Sequence, residues 1–337
     1  MVSESFRRIY PANTVKMEQG GTKMKHEAKG ILYALLLGVL VPAGLCILCL
    51  PDIVETPAKE QIHITVAQPE AEPTKILVQE GTDITEMLLT DYIAGVILGE
   101  MPGSFSLEAK KAQAVVARTY ALRVAAGRRH NGAVCTDSNC CQNYCDWQSV
   151  PYSDAVAQAR TAAEQTAGMV LTYQGQLIDA TYFSCSGGMT EAAVAVWGAD
   201  IPYLQAVASP GEEYATHYTD TEVFTLGEFQ TAMQLELPED NSQWFGPVTY
   251  TDSGGVETME IGGKLMRGTE IRKALGLRST VFSVEIQGEA IVITTKGFGH
   301  RVGMSQFGAD AMARAGNNFS EILHHYYQGV TLETNWQ

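Results

Sequence analysis

At 337 residues the chain can bury a sizeable core, as one large domain or two smaller ones. Its formal charge of −15 tells against nucleic acid or an anionic lipid surface as the main ligand, because both reward patches of Lys and Arg. The charge is uneven: Arg7, Arg8, Lys16, Lys23, Lys25 and Lys29 make the beginning of the chain basic, and the acidic excess lies downstream.

Residues 31–50, ILYALLLGVLVPAGLCILCL, carry no charge and are long enough to cross a bilayer as one transmembrane helix. Lysines precede the run, and Asp52 and Glu55 follow it. The positive-inside rule then puts residues 1–30 in the cytoplasm and everything after the run outside. A cleaved signal peptide fits less well, since the run is long and lacks a clear small-x-small site. Lipoprotein processing fits poorly as well, because Cys46 and Cys49 each follow a leucine where a small residue is needed. Residues 51–74 are rich in Pro, Glu, Ala and Gln and read as an extended linker.

Residues 75–337 have the composition of a folded extracytoplasmic domain. KILVQ and LIDATYFS have the character of strands. TDYIAGVILGE, LEAKKAQAVVARTYALRVAAG and SDAVAQARTAAEQTAG have helical spacing. From about 214 to 289 the chain is richer in Gly, Thr and β-branched residues, which predicts a strand-rich lobe with TEIRKALGL as a short helix. A glycine-rich turn, FGHRVG, runs into a further helix, and SEILHHYYQG reads as the last one, capped by Ser320 and ended by Gly329. The fold class is α+β: a mixed core domain with a smaller strand-rich lobe, behind one transmembrane helix.

The stretch GEMPGSFSLEAKKAQAVVARTYAL raises the chemical question. Thr90 can cap the preceding helix, whose apolar face reads Leu89, Ile93, Val96, Ile97. The next position on that face is Glu100, and Pro102 disfavours helical geometry at Met101, so the carboxyl falls at a helix end facing a gap. Apolar neighbours and the negative end of the helix dipole both raise a carboxyl pKa. A carboxylic acid kept protonated near neutral pH suits general-acid cleavage of a glycosidic bond. The competing reading is a structural ion pair with Lys111 or Arg118. On the following helix, capped by Ser106, Lys111, Ala114 and Arg118 share one face, and Gln113, Ala117 and Tyr120 a neighbouring one. Such side chains can line a sugar-binding groove or merely a solvated surface.

The segment RRHNGAVCTDSNCCQNYCDW offers His130, Cys135, Cys140, Cys141 and Cys145 within one loop. Imidazole and thiolates suit zinc, whereas an outside location suits disulfides such as Cys135 with Cys145. Cys185 in FSCSGG reads as a buried free thiol. Ser184, His300 and Gln306 stand in turns that can reach a cleft. His324 and His325 lack a further histidine at ligand spacing.

GEMPGSFSLEAKKAQAVVARTYAL, SCSGGMTEAAVAVWG, GHRVGMSQFGADAMARAG and EILHHYYQGV, in this order, resemble the stage II sporulation protein D family. Its members are membrane-anchored lytic transglycosylases of endospore-forming bacteria. The resemblance spans roughly residues 75 to 335. It implies that Glu100 is the catalytic acid and that Lys111, Arg118 and Tyr120 belong to the groove helix. It implies a structural zinc held by a histidine and two cysteines, best matched by His130, Cys135 and Cys141, with Cys140 or Cys145 open as substitutes. Arg301 stands where a glycine is frequent after the histidine, which tells against a tight turn there. The implied substrate is peptidoglycan glycan already stripped of stem peptides. The implied partners are an amidase, stage II sporulation protein P, and a membrane scaffold, stage II sporulation protein M. The implied location is the mother-cell septal or engulfing membrane.

Only one compelling carboxyl surrounds this stretch, and hydrolytic glycosidases usually need two. A lytic transglycosylase, a lyase rather than a hydrolase, manages with one. The alternatives are a non-catalytic glycan-binding enhancer of a partner amidase and a zinc amidase or peptidase; the latter needs an open metal position and a nearby base.

Overall fold

Alternation in KILVQE sends Ile76 and Val78 inward and builds strand β1, Lys75–Glu80. After a turn at Gly81, β2, Asp83–Leu88, returns antiparallel in the register Lys75↔Leu88 to Glu80↔Asp83. The computed structural model describes residues 74–336 apart from residue 128. The expected anchor over 31–50 lies outside the described residues, as does the expected linker over 51–74 except for Thr74. Among the described residues no helix is long and apolar enough to cross a membrane.

Helix α1, Leu89–Glu100, follows β2 directly. Thr90 therefore sits inside the helix rather than capping it; the cap position is Leu88, without a side-chain bond, and the Leu89 amide donates to the Thr74 carbonyl at 2.9 Å. The predicted apolar face is buried, and Met101 turns extended, φ −116° and ψ 138°, as a residue before proline should. Helix α2, Leu107–Ala126, begins after Ser106, whose side chain makes no cap bond; its amide donates to Asp310 Oδ1 at 2.7 Å. Ala114, Ala117 and Ala121 of α2 pack with Leu89, Ile93 and Val96, while Ala109, Ala112, Val115 and Val116 pack into a second cluster with Leu171, Ile322 and Tyr326. The helix is thus buried on opposite sides, and its alanines let neighbours approach closely.

Strand β3, Val134–Cys135, runs parallel to β1. Helix α3, Asp154–Gln165, is capped by the Ser153 hydroxyl and packs on α1 and α2. The single strand expected from LIDATYFS is interrupted. After β4, Val170–Tyr173, the short β5, Gln176–Leu177, pairs back on β4, whereas β6, Tyr182–Phe183, leaves for a different sheet. Helix α4, Ala193–Trp197, follows.

The strand-rich section comprises β7 (Thr219–Thr225), α5 (Leu226–Met233), β8 (Phe245–Tyr250), β9 (Val256–Ile261), β10 (Lys264–Arg267), α6 (Gly268–Leu275), β11 (Phe282–Gln287) and β12 (Ala290–Lys296). Its sheets have the orders β10-β9-β8 and β11-β12-β7. Phe229, Trp244, Met259, Ile271, Ile291 and Ile293 form its own core. The chain then returns through β13, Met304–Ser305, parallel to β6, and α7, Gln306–Arg314, capped by Ser305. Helix α8, Phe319–Tyr326, is capped by Asn318 in a reciprocal box with Glu321, not by Ser320, and it ends at Tyr327 before reaching Gly329. Strand β14, Thr331–Glu333, closes against β4. The mixed α and β composition agrees with the expected class.

Arg301 corrects one expectation. It takes the left-handed conformation itself, φ 66°, so the turn after His300 forms without glycine. Its buried guanidinium donates from Nε to the Ser186 carbonyl at 3.0 Å, and from Nη2 to the Met189 and Ser253 carbonyls at 2.8 and 2.9 Å. Glu191 lies 3.5 Å from Nη1 and accepts from Thr251 Oγ1 at 2.7 Å. The arginine thereby ties the loop between β8 and β9 to the core domain.

Candidate functional site

Glu100 ends α1 beside a cleft of about 590 Å³ whose walls include Tyr120, Tyr182, Ser184, Phe298, His300 and Gln306. Its Oε1 accepts from the Asn143 amide at 2.8 Å and from the Tyr182 hydroxyl at 3.0 Å; its Oε2 accepts from Gln306 Nε2 at 3.4 Å. Burial raises the carboxyl above its usual range, and these bonds, which favour the charged form, oppose the rise only in part. Neither Lys111 nor Arg118 pairs with it.

The donors arrive from distant parts of the chain. Parallel pairing of β6 with β13 sets Met304 opposite Tyr182 and Ser305 opposite Phe183, so Tyr182 and Gln306 reach Glu100 together. Tyr182 is itself held: its hydroxyl accepts from Gln142 Nε2 at 3.2 Å, and Gln142 Oε1 accepts from the Tyr92 hydroxyl at 3.3 Å. Burial, then the charge of Glu100, lifts the Tyr182 phenol well above its ordinary value, which keeps it a donor. Asn143 comes close because α1 has glycines one turn apart. A Cβ on Gly99 would lie 2.9 Å from the Asn143 carbonyl, and one on Gly95 2.8 Å from the Cys145 carbonyl. Sequence reasoning missed Asn143, Tyr182 and Gln142. The glycine pair spaced i, i+4 in α1 was the available signal of a backbone crossing that face.

Of the residues expected in a groove, Tyr120, Ser184, His300 and Gln306 line the cleft. His300 Nδ1 accepts from the Val302 amide at 3.1 Å, and burial together with nearby Arg272 lowers its pKa to about 4, so the ring is neutral at neutral pH. The structure does not bring Lys111, Gln113 and Arg118 there. Lys111 pairs with Glu108 at 2.7 Å and lies over the Phe319 ring, because α8 docks on that face of α2. Arg118 is buried against α3 and the chain behind it, donating to the Ala163 and Met169 carbonyls at 3.1 and 3.3 Å. Gln113 is fully buried, its amide without a hydrogen-bond partner among the described residues. Periodicity placed these residues on helix faces; the packing of α2 on both sides turned the faces inward.

The ligand atoms of His130, Cys135, Cys140 and Cys141 all lie within 4.8 Å of one another, a set that can hold a metal ion. Cys140, one of two substitutes open in the sequence, completes the set, and Cys145 is not part of it. No disulfide joins the described cysteines, so Cys135 and Cys145 are not bonded to each other. His130 and Asn131 both take positive φ, 48° and 59°, which folds the loop back on Cys140; His130 Nε2 is 3.2 Å from its sulfur. Cys141 lies immediately before Gln142 and Asn143, so the cluster and the bonds that hold Glu100 share one short loop. Cys185 is buried against Glu212, its thiol 3.0 Å from Oε2.

A cleft domain with one half-buried carboxyl, cradled by neutral donors beside a His/Cys cluster, defines the class of site. A family model described as Stage II sporulation protein matches residues 79–173. Stage II sporulation protein D of Bacillus amyloliquefaciens is 40% identical over 256 residues, covering 72% of this chain and 74% of that protein. Stage II sporulation protein D of Bacillus subtilis (strain 168) is 39% identical with the same coverage. The Amidase enhancer of Bacillus subtilis (strain 168) is 32% identical over 301 residues, 71% of this chain but 40% of that protein. The chain belongs to the stage II sporulation protein D family.

Proposed function

We propose that the protein is a peptidoglycan lytic transglycosylase acting on peptide-stripped glycan. The observation that carries this reading is Glu100: a carboxyl raised by burial, facing a cleft, and the one carboxylate among its described lining residues. Glu100 donates its proton to the glycosidic oxygen between muramyl and glucosaminyl units as that bond breaks. The resulting carboxylate then takes the proton of the muramyl 6-hydroxyl, whose oxygen bonds to the anomeric carbon. The products are an anhydro-muramyl end and a freed glucosaminyl hydroxyl; no water is consumed and Glu100 is restored. Asn143, Tyr182 and Gln306 hold the carboxyl through both steps and steady its charged form.

His130, Cys135, Cys140 and Cys141 would hold a structural zinc, since one imidazole and three thiols supply the four nitrogen and sulfur donors such a site uses. The metal would tie the loop that carries Gln142 and Asn143. In this reading the uncharged run over 31–50 anchors the domain outside the cell, with stage II sporulation proteins P and M as partners in sporulation.

Mass analysis of products from peptide-free glycan tests the reading. Anhydro-muramyl ends are expected; reducing ends would mean hydrolysis. No cleavage would favour the second reading, a glycan-binding enhancer of an amidase, which the similarity to the Amidase enhancer of Bacillus subtilis supports.

A further inference from the structure

We propose that the cleft continues past His300 into a cationic subsite that recognises a free carboxylate on the glycan; the inference rests on the glycan reading above. A second cavity, of about 700 Å³, is lined by Trp197, Arg272, Lys273, Arg278, Phe298 and His300, and the last two residues also line the cleft of Glu100. The two cavities therefore meet across one pair of rings. Trp197, an exposed aromatic, lies 5.5 Å from the His300 ring, centroid to centroid, and extends the apolar shelf on which a sugar face can rest.

The cations differ in their commitments. Arg278 is spent on an ion pair with Asp220 and lies over the Phe298 ring. Arg272 uses Nε on the Leu277 carbonyl at 3.2 Å, which leaves its terminal amino groups available. Neither Arg272 nor Lys273 has a carboxylate partner among the described residues, and Glu222 is the one carboxylate among the described lining residues. In a chain of net charge −15 this pairing of unmatched cations with an aromatic shelf stands apart. A guanidinium and an ammonium suit a carboxylate, to which they donate charge-assisted bonds. A muramyl unit freed of its peptide carries such a group on its lactyl ether, whereas a peptide-bearing unit has a neutral amide there. The subsite would thus distinguish stripped from unstripped glycan by charge.

Equilibrium binding tests this in the full chain carrying Glu100→Gln, which should retain glycan while cleaving it far more slowly. The probes are peptide-free glycan oligomers and the same oligomers with the lactyl carboxylate reduced to an alcohol. The carboxylate form is expected to bind about tenfold tighter, the scale of one charge-assisted hydrogen bond. Adding Lys273→Gln, an exposed position without a carboxylate partner among the described residues, or Arg272→Gln should remove most of that preference and leave binding of the alcohol form unchanged. Equal affinity for both oligomers, or equal loss of both in the variants, would overturn the subsite. Binding of neither would overturn it together with the glycan reading. Cleavage by the unsubstituted protein is scored separately, so anhydro-muramyl ends without carboxylate preference sink the subsite alone, and preference without cleavage sinks only the catalytic reading.

Discussion

At the scale of single residues, Glu100 is the point where burial and hydrogen bonding compete, and burial wins. Its folded pKa lies above the unfolded value. Its contribution to stability is therefore full below the unfolded pKa and is lost as pH rises through the folded one. Glu100→Gln should lower cleavage by about a hundredfold or more. It should also leave the melting temperature at pH 7 equal to or above that of the parent, while giving no gain near pH 4. Product assays and thermal melts at both pH values check the two halves, and near-normal turnover would remove Glu100 from the mechanism. Tyr182→Phe deletes a donor that favours the charged form, so it should push the Glu100 pKa higher still. Because the acid must start protonated, activity falls as pH rises through that pKa. The alkaline limb of kcat/KM should consequently move to higher pH in Tyr182→Phe; an unmoved limb would mean that another group sets it.

At the scale of elements, two short segments hold the site together. The loop from β3 to Asn143 has little apolar core of its own, and the His/Cys cluster closes it. Thiolate ligands must be deprotonated, and without metal burial holds the Cys141 thiol up to about 11, so binding should weaken as pH falls and chelator should remove the ion. About one zinc per chain is expected on the four-coordinate logic of structural sites. Cys135→Ser and Cys141→Ser should lose metal and melting temperature together, with a smaller drop in cleavage than Glu100→Gln. Metal analysis with thiol counting decides this, and cysteines found in disulfides without metal would refute it. The Arg301 turn is the other segment. Removing one partner of a buried ion pair costs about 3–5 kcal/mol, because the other charge stays buried. Arg301→Met should therefore lower the denaturation midpoint strongly, and adding Glu191→Gln should recover part of it. Arg301→Gly relieves the positive φ but forfeits the same bonds, so it too should destabilise. A midpoint unchanged in either single variant would show that the pair does not hold the loop between β8 and β9.

At the scale of the whole molecule, the charge flanks of residues 31–50 lead to a prediction about the intact chain. It should stay in the membrane, with residues beyond 51 open to protease from outside. Fractionation and protease shaving of the native host check this, and a soluble chain beginning after residue 50 would overturn it. The helices over Leu89–Glu100, Leu107–Ala126 and Asp154–Gln165 were legible without coordinates, because apolar spacing and a proline stop are local properties, although the caps read at Thr90 and Ser106 do not form. So was the suspicion that Glu100 stands at a helix end on an apolar face. His130, Cys135 and Cys141 were named through the family resemblance, but the choice of Cys140 over Cys145 was left open, since proximity of His130 and Cys140 depends on two residues with positive φ. Other features were decided only in three dimensions. Burial of α2 on both sides took Lys111, Gln113 and Arg118 away from the cleft, and a parallel pairing between strands more than a hundred residues apart delivered Tyr182 and Gln306 to Glu100. Local sequence encodes the phase of a helix and where it stops. Which face meets solvent, and which distant donors meet a carboxyl, follow from packing among elements far apart in the chain, and no window of neighbouring residues contains that information.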